Sequence, residues 1–270
     1  MENSKLYCFG IHDEVLSAIK HLNYIPVGLG SNTINKEWLK DNTGENISHK
    51  NKYYSELTFY YWLWKNKFKE MPNNEWIGFS QYRRHWKKNT EPIKDNYLIK
   101  DEVLQNIPDE WQEYETILPK QINIQGLKLM KVLKSGKLAL IRNPKAIFKK
   151  YRNIKFNFDM MHGNGTIDKA INLLDNNNRV DFYNFVRNKT SFSPASMFIC
   201  KNKKKIEEFF EVLFSWLTKC EDVFGFNMEE YGKVRIYAFL CERFLPFWFN
   251  KNTNVLEWPI IFHDLRKEKF

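Results

Sequence analysis

The chain has 270 residues, of which 43% are hydrophobic, 27% charged and 16% aromatic. That much apolar ring surface excludes a disordered chain, and no apolar run approaches the ~18 residues of a membrane span. The net charge is +10, yet residues 120–155 hold 11 basic and no acidic side chains, which leaves 31 basic against 32 acidic elsewhere.

Taken in chain order, Lys5 to Ile11 reads as a buried first strand with His12 and Asp13 at its C-terminal end. Tyr24 to Gly30 predicts a second strand, where Pro26 implies an edge or an irregular start. Ser31 to Asn46 is a polar loop. Ser48 is placed as the N-cap of a long helix to about Phe68, with Tyr54, Leu57, Tyr61, Trp64 and Phe68 as its apolar stripe. Glu75 to Tyr82 predicts a third strand that delivers Arg83-Arg84 at its end. Tyr114 to Leu118 is a short strand stopped by Pro119, and the basic segment that follows is part helix, part loop. Met161 to Gly165 reads as a turn, after which Thr166 caps a helix over Ile167 to Leu174. Ala195 to Cys200 is a strand. Ile206 to Phe224 is the clearest helix, because Ile206, Phe209, Phe210, Leu213, Trp216, Leu217 and Cys220 keep one stripe. A last helix is expected from about Glu229 to Phe249, interrupted near Pro246.

Strands alternating with helices predict one α/β domain over residues 1–270, a sandwich with a mostly parallel central sheet flanked by helices. Ligands of such sheets sit at the C-terminal strand ends. Cys8, Cys200, Cys220 and Cys241 form no Cys-x-x-Cys pair and read as reduced thiols of a cytoplasmic protein, as does an N-terminus without a signal-peptide core.

Dinucleotide, P-loop, zinc-protease and nucleophile-elbow motifs are all absent, as is any Asp-x-Asp pair for a divalent metal. Four groups carry chemistry instead. The densest runs from Asp41 through Asn42, Gly44, Asn46, Ser48 and Asn51 to Glu56. A polar loop entering a helix presents free N–H groups to an anion, and its amides suit sugar hydroxyls; read alone, it is equally a well-capped loop. The second is Gln81-Tyr82-Arg83-Arg84. Guanidinium groups match a diphosphate bidentately and stay charged, so a strand-end pair can neutralise a departing nucleoside diphosphate without a metal; the plain alternative is a surface pair bridging carboxylates. The third is His162-Gly163 with Asp168, where the imidazole is either an acid/base group or a structural turn residue. The fourth is Arg235 with Glu242, seven apart on one helix face, which fit acceptor binding or a buried ion pair.

Asp-Asn-Thr-Gly-Glu-Asn-Ile-Ser-His-Lys-Asn (41–51), Glu-Leu-Thr-Phe-Tyr-Tyr-Trp-Leu-Trp-Lys-Asn (56–66) and Trp-Ile-Gly-Phe-Ser-Gln-Tyr-Arg-Arg (76–84) resemble a bacterial family labelled domain of unknown function 4422. Weaker matches at His162-Gly163, Ser196 to Ile199, and Arg235 through Arg243 extend the resemblance from His12 to about Trp248. This chain has Gln81 where the family usually has His, and Asp13 where it usually has Lys. The family sits among capsule and lipopolysaccharide enzymes and includes galactofuranosyltransferases. The resemblance therefore implies a GT-A-like enzyme that moves a hexose from a nucleotide sugar, UDP-linked by expectation, to a surface-glycan acceptor. The acceptor is then lipid-linked or a core oligosaccharide.

On that reading His12, Asn42, Gly44, Asn46, Ser48, Asn51, Glu56, Gln81, Tyr82, Arg83 and Arg84 hold the donor. Asp41 or His162 is the base that takes the acceptor proton, and Asp168, Arg235 and Glu242 lie toward the acceptor. No cofactor is expected, although a divalent metal stays open. The basic segment at about 120–155 faces the inner membrane or the acceptor, with each basic residue worth about 1 kcal/mol at an anionic surface. The alternative class is a non-catalytic basic protein on nucleic acid or another anionic surface. Charge confined to one segment argues against nucleic acid.

Overall fold

The computed structural model describes residues 4–30, 36–93 and 97–267. The strands are β1 (Ser4–Gly10), β2 (Ile25–Gly28), β3 (Leu39–Lys40), β4 (Trp76–Gln81), β5 (Arg84–Trp86), β6 (Thr116–Pro119), β7 (Ile122–Asn123), β8 (Ser191–Phe192), β9 (Ile199–Cys200), β10 (Val255–Trp258) and β11 (Ile260–Phe262). The helices are α1 (Leu16–His21), α2 (Asn51–Tyr54), α3 (Leu57–Asn66), α4 (Ile99–Glu102), α5 (Leu129–Ser135), α6 (Lys137–Arg142), α7 (Ile154–His162), α8 (Thr166–Asn172), α9 (Asn176–Asn188), α10 (Lys203–Phe224), α11 (Tyr231–Val234) and α12 (Ile236–Asn252). The chain falls into two compact units, one of residues 1–120, 195–211 and 249–270, the other of residues 121–194 and 212–248.

The first unit is built on a nine-stranded sheet with the order β10-β6-β9-β4-β1-β2-β3, to which β5 and β11 add a flank. All neighbours along that order pair in parallel except β9, which runs antiparallel to both β4 and β6. The expected mostly parallel α/β sheet is present. Strand β1 shows why it sits centrally: both of its faces are apolar. Tyr7 and Phe9 meet Phe59 of α3 at 5.1 and 5.6 Å between ring centroids. Leu6 and Cys8 enter the opposite cluster with Val15, Ile19, Trp38 and Trp76. A period-two alternation with apolar residues on both sides belongs to a sheet covered on both faces. Pro26 is tolerated because β3 pairs with β2 only at Val27 and Gly28, so the proline lies where the strand has a neighbour on one side only.

Three sequence expectations are corrected here. The helix expected from Ser48 to Phe68 is broken: Ser55 has φ +53° and separates α2 from α3. That break resets the phase, so Phe59, Tyr60 and Leu63 are buried while Tyr61 and Trp64 are only half-buried. Tyr60 packs against Phe79 with ring centroids 4.4 Å apart and the planes tilted by 55°, and donates its hydroxyl to the Ser196 carbonyl. Ser48 caps no helix; its Oγ donates to Asn46 Oδ1 at 2.8 Å. The strand expected over Ala195 to Cys200 shrinks to two residues, because Ala195 takes φ +65°.

The second unit is mostly helical. Phe182 and Trp216 stand edge to face at 6.0 Å, and Trp216 Nε1 donates to the Ala170 carbonyl at 2.7 Å. The apolar stripe expected on α10 is buried throughout. Pro246 does not interrupt the last helix. It lies inside α12, and the break falls at Arg235 instead. Thr166 is the first residue of α8 rather than its cap; Gly165 precedes it at φ +78°, and its N–H donates to Asp159 Oδ1 at 3.0 Å.

The basic segment folds around Arg152, which is 1% exposed. Its Nε donates to the Ala146 carbonyl at 3.0 Å, and its terminal nitrogens donate to Leu127 and Ile147 carbonyls at 2.6 and 3.0 Å. A buried guanidinium must satisfy its donors, and these bonds fasten two stretches of the segment to one side chain. All four cysteines are buried and free.

Candidate active site

Strands β1, β2 and β4 run in parallel and end level, since Gly10 pairs with Gly28 and Phe9 with Gln81. The residues after those ends therefore gather along one sheet edge in the first unit. They include His12, Gly30, Tyr82, Arg83 and Arg84, and the loop after β3 adds Asp41.

The turn after β4 is the most structured part of that edge. The Tyr82 N–H donates to the Phe9 carbonyl at 2.9 Å, tying the turn to β1. Arg83 Nε lies 3.1 Å from Asp264 Oδ2, and Arg266 Nη2 lies 2.6 Å from the same oxygen. Arg266 first, and Arg83 with it, holds the Asp264 carboxyl well below the usual carboxylate range. The Arg83 side chain is 49% exposed, and its terminal nitrogens have no protein partner among the described residues. Its guanidinium carbon stands 4.8 Å from the Tyr82 ring centroid, and the His12 ring meets Tyr82 edge-on at 5.9 Å.

Arg84 is positioned by a relay. Gln81 Nε2 donates to Glu56 Oε1 at 3.3 Å, and Gln81 Oε1 accepts from Arg84 Nη1. A carboxylate only accepts and a guanidinium only donates, so the amide has one orientation. Arg84 also stands 5.3 Å from the Phe262 ring. Beside it His85 is buried, which pushes its imidazole down to about 4, and its Nε2 lies 3.2 Å from the His263 carbonyl.

The loop 41–46 is held by the helix that follows it. Asn66 accepts from the Glu45 N–H at 3.0 Å and donates to the Glu45 carbonyl at 2.7 Å. Trp62 Nε1 donates to Thr43 Oγ1 at 3.1 Å and Tyr61 to Glu45 Oε1 at 2.7 Å. Gly44 sits at φ +56°, and a Cβ there would stand 2.1 Å from Asn66 Oδ1. Asn46 Nδ2 donates to the Gly44 carbonyl at 2.9 Å. The 41–51 and 56–66 motifs are thus two halves of one hydrogen-bonded structure. They leave Asn42, Thr43, Gly44 and Glu45 exposed.

Asp41 is fully buried, and its Oδ1 accepts from the Gly30 N–H at 2.9 Å; burial raises its carboxyl above the ordinary range. Asn51 Nδ2 donates to the Ser55 carbonyl at 2.9 Å and to Thr58 Oγ1 at 3.1 Å. Both residues hold the loop frame. Residues 31–35 of the predicted loop lie outside the described residues.

The remaining sequence candidates belong to the second unit. His162 is 5% exposed, stacks on Phe239 at 4.0 Å and places Nδ1 2.9 Å from the Gly232 carbonyl. Burial, followed by the charge of Arg243, pushes the ring down to about 4. Asp168 lies 3.0 Å from Lys155 and 2.6 Å from Arg187. Glu242 pairs with Arg243 at 2.9 Å, and Arg235 stands between α11 and α12. Among the described residues, no three His, Cys, Asp or Glu side chains converge as metal ligands.

Sequence reasoning missed the contribution of the last strand and its tail, Phe262, Asp264 and Arg266. The His263 and Leu265 N–H groups donate to the Arg83 and Tyr82 carbonyls at 3.2 and 3.1 Å. The available signal was an Asp-x-Arg pair in a short polar tail.

No curated protein matches the sequence. A similar solved structure is the WbbM bifunctional glycosyltransferase in its apo form, with 21% identity, a TM-score of 0.67, and coverage of 97% of this chain and 45% of that one. The chain thus spans less than half the length of that protein, and the likeness is one of fold. Residues 9–253 match the family described as domain of unknown function DUF4422, and the chain belongs to that family.

Proposed function

We propose that the protein is a glycosyltransferase that takes a hexose, galactofuranose among the candidates, from a nucleotide-sugar donor and passes it to a bacterial surface-glycan acceptor. The observation that carries this reading is Arg83: half-exposed, at the end of β4, held by Nε alone and flanked by Arg84. A cationic pair fixed in advance stabilises the charge that develops on a departing diphosphate, without reorganising as the bond breaks. The exposed 42–45 loop supplies amide and hydroxyl groups for the sugar or ribose. Asp41 and His162 are buried and bound to backbone groups, so both read as frame residues before they read as the base.

The test is thermal stabilisation by a panel of nucleoside diphosphates and nucleotide sugars, with and without EDTA, since a ligand of the folded state raises apparent stability by mass action. A shift with UDP that persists in EDTA and is lost in Arg83→Ala supports metal-independent transfer. A shift abolished by EDTA keeps the transferase and replaces the arginine mechanism with a metal-dependent one. No shift with any nucleotide overturns the reading.

A further inference from the structure

The basic segment combines its charge with an unusual amount of bare apolar surface. Nine of the seventeen large hydrophobic side chains that are exposed among the described residues fall between Ile122 and Tyr151. Met130 is 75%, Ile141 73%, Leu138 69% and Phe148 64% exposed. In α5, Met130 and Leu133 are three residues apart and share a side, while Val132 is fully buried; in α6, Leu138 and Ile141 share a side, while Ala139 is buried. Each short helix thus uses one side for packing and leaves a second apolar side uncovered. Lys128, Lys137, Arg142, Lys145, Lys149 and Lys150 are exposed along the same stretch, and no acidic residue occurs from 120 to 155.

We propose that this segment is an interfacial docking surface for an anionic lipid bilayer. Charge complementarity selects the occupant. The six exposed basic residues named above, in a segment without a carboxylate of its own, favour a negative surface, which nucleic acid or an acidic protein also offers. Leu, Ile, Met and Phe exposed between the lysines add what a polyanion cannot use, because apolar side chains gain by leaving water for the acyl boundary while the cations stay among the headgroups. Short amphipathic helices clasped to the fold by Arg152 present this face without a membrane-crossing helix, and no described helix is long and apolar enough to cross one. The inference does not rest on the transferase reading.

The test is sedimentation of the full chain with vesicles of phosphatidylcholine alone and of phosphatidylcholine with phosphatidylglycerol, for the native protein and for Leu138→Ser/Ile141→Ser. Both substituted side chains are exposed, so the melting temperature should be unchanged and confirms that the variant folds. The expected result is at least about tenfold stronger binding to the phosphatidylglycerol vesicles, weakened several-fold in the variant. Equal binding to both vesicles, no binding to either, or full retention by the variant overturns the proposal. Binding to RNA but not to phosphatidylglycerol vesicles also overturns it, in favour of a polyelectrolyte site.

Discussion

Arg83 Nε and Asp264 Oδ2 stand 3.1 Å apart although 181 residues separate them in the chain. The carboxylate also holds Arg266, so two cations share one anion and the group keeps a net positive charge. A dianionic diphosphate complements that surplus, whereas a fully paired salt bridge would not attract it. Arg83→Ala is expected to lower turnover by about 10²–10³-fold with little change in melting temperature. Asp264→Asn should cost less, because it loosens the guanidinium without removing it. Steady-state rates with the donor found by the nucleotide panel check both. Near-normal turnover in Arg83→Ala would sink the assignment.

Gln81 must donate to Glu56 and accept from Arg84 at once. An imidazole also carries one donor and one acceptor when neutral. Gln81→His is expected to retain activity within a few-fold. Gln81→Leu leaves Arg84 without its acceptor and should reduce turnover about tenfold or more. Equal rates for both variants would show that the relay does not position Arg84.

At Gly44 both the backbone and the neighbouring side chain reject a Cβ. Gly44→Ala is expected to destabilise the fold by about 1–3 kcal/mol and to weaken nucleotide-induced stabilisation. Asn66→Ala removes the clash but also the bonds to Glu45, so the double variant should fall below Asn66→Ala alone only by the roughly 1–2 kcal/mol of a left-handed non-glycine residue. Thermal melts of the three variants measure this coupling.

Asp41→Asn keeps an oxygen for the Gly30 N–H and removes a carboxyl that burial disfavours in its charged form. It should melt at or above the native temperature at pH 8. Asp41→Ala strands the Gly30 donor and should cost about 1–3 kcal/mol. Turnover of Asp41→Asn decides between frame and base: a loss of several orders of magnitude in a well-folded variant would make Asp41 the base.

Burial holds His85 and His162 near 4, below the ~6.5 of an unfolded histidine. The unfolded chain therefore binds protons first as pH falls. The stability these neutral rings contribute is full above about pH 6.5 and is lost between about 6.5 and 4, at roughly 3 kcal/mol for each ring. Melting temperatures from pH 7 to 4.5 should drop, and His162→Gln, which keeps a donor for Gly232, should flatten the slope. An unchanged slope would contradict the assignment.

The sheet was legible because its signals are local. Both apolar faces of β1, the strand end at Arg83 and the α10 stripe follow from residue period alone. What stayed hidden depends on partners distant in sequence. Nothing near Ser55 announces its positive φ, so Tyr54, Leu57 and Phe68 of the expected stripe are buried while Tyr61 and Trp64 are not. The bond that engages Asp41 is hidden from local pattern because the Gly30 amide lies eleven residues upstream. The enclosure of His162 is hidden in the same way, because Phe239 and Gly232 follow more than 65 residues later. The Asp264 contribution needed β11 to return to β5, a pairing no local pattern predicts.

The Arg152 clasp has a bearing on where the protein can work. An anionic membrane concentrates protons as well as cations, and a surface potential near −30 mV lowers the local pH by about half a unit. A segment organised by a histidine or a carboxylate would change its folding balance as it approached such a surface. A guanidinium does not titrate in that range. The three carbonyls it gathers are therefore held as firmly in the acidified layer as in bulk water, and the segment keeps one shape on both sides of the encounter.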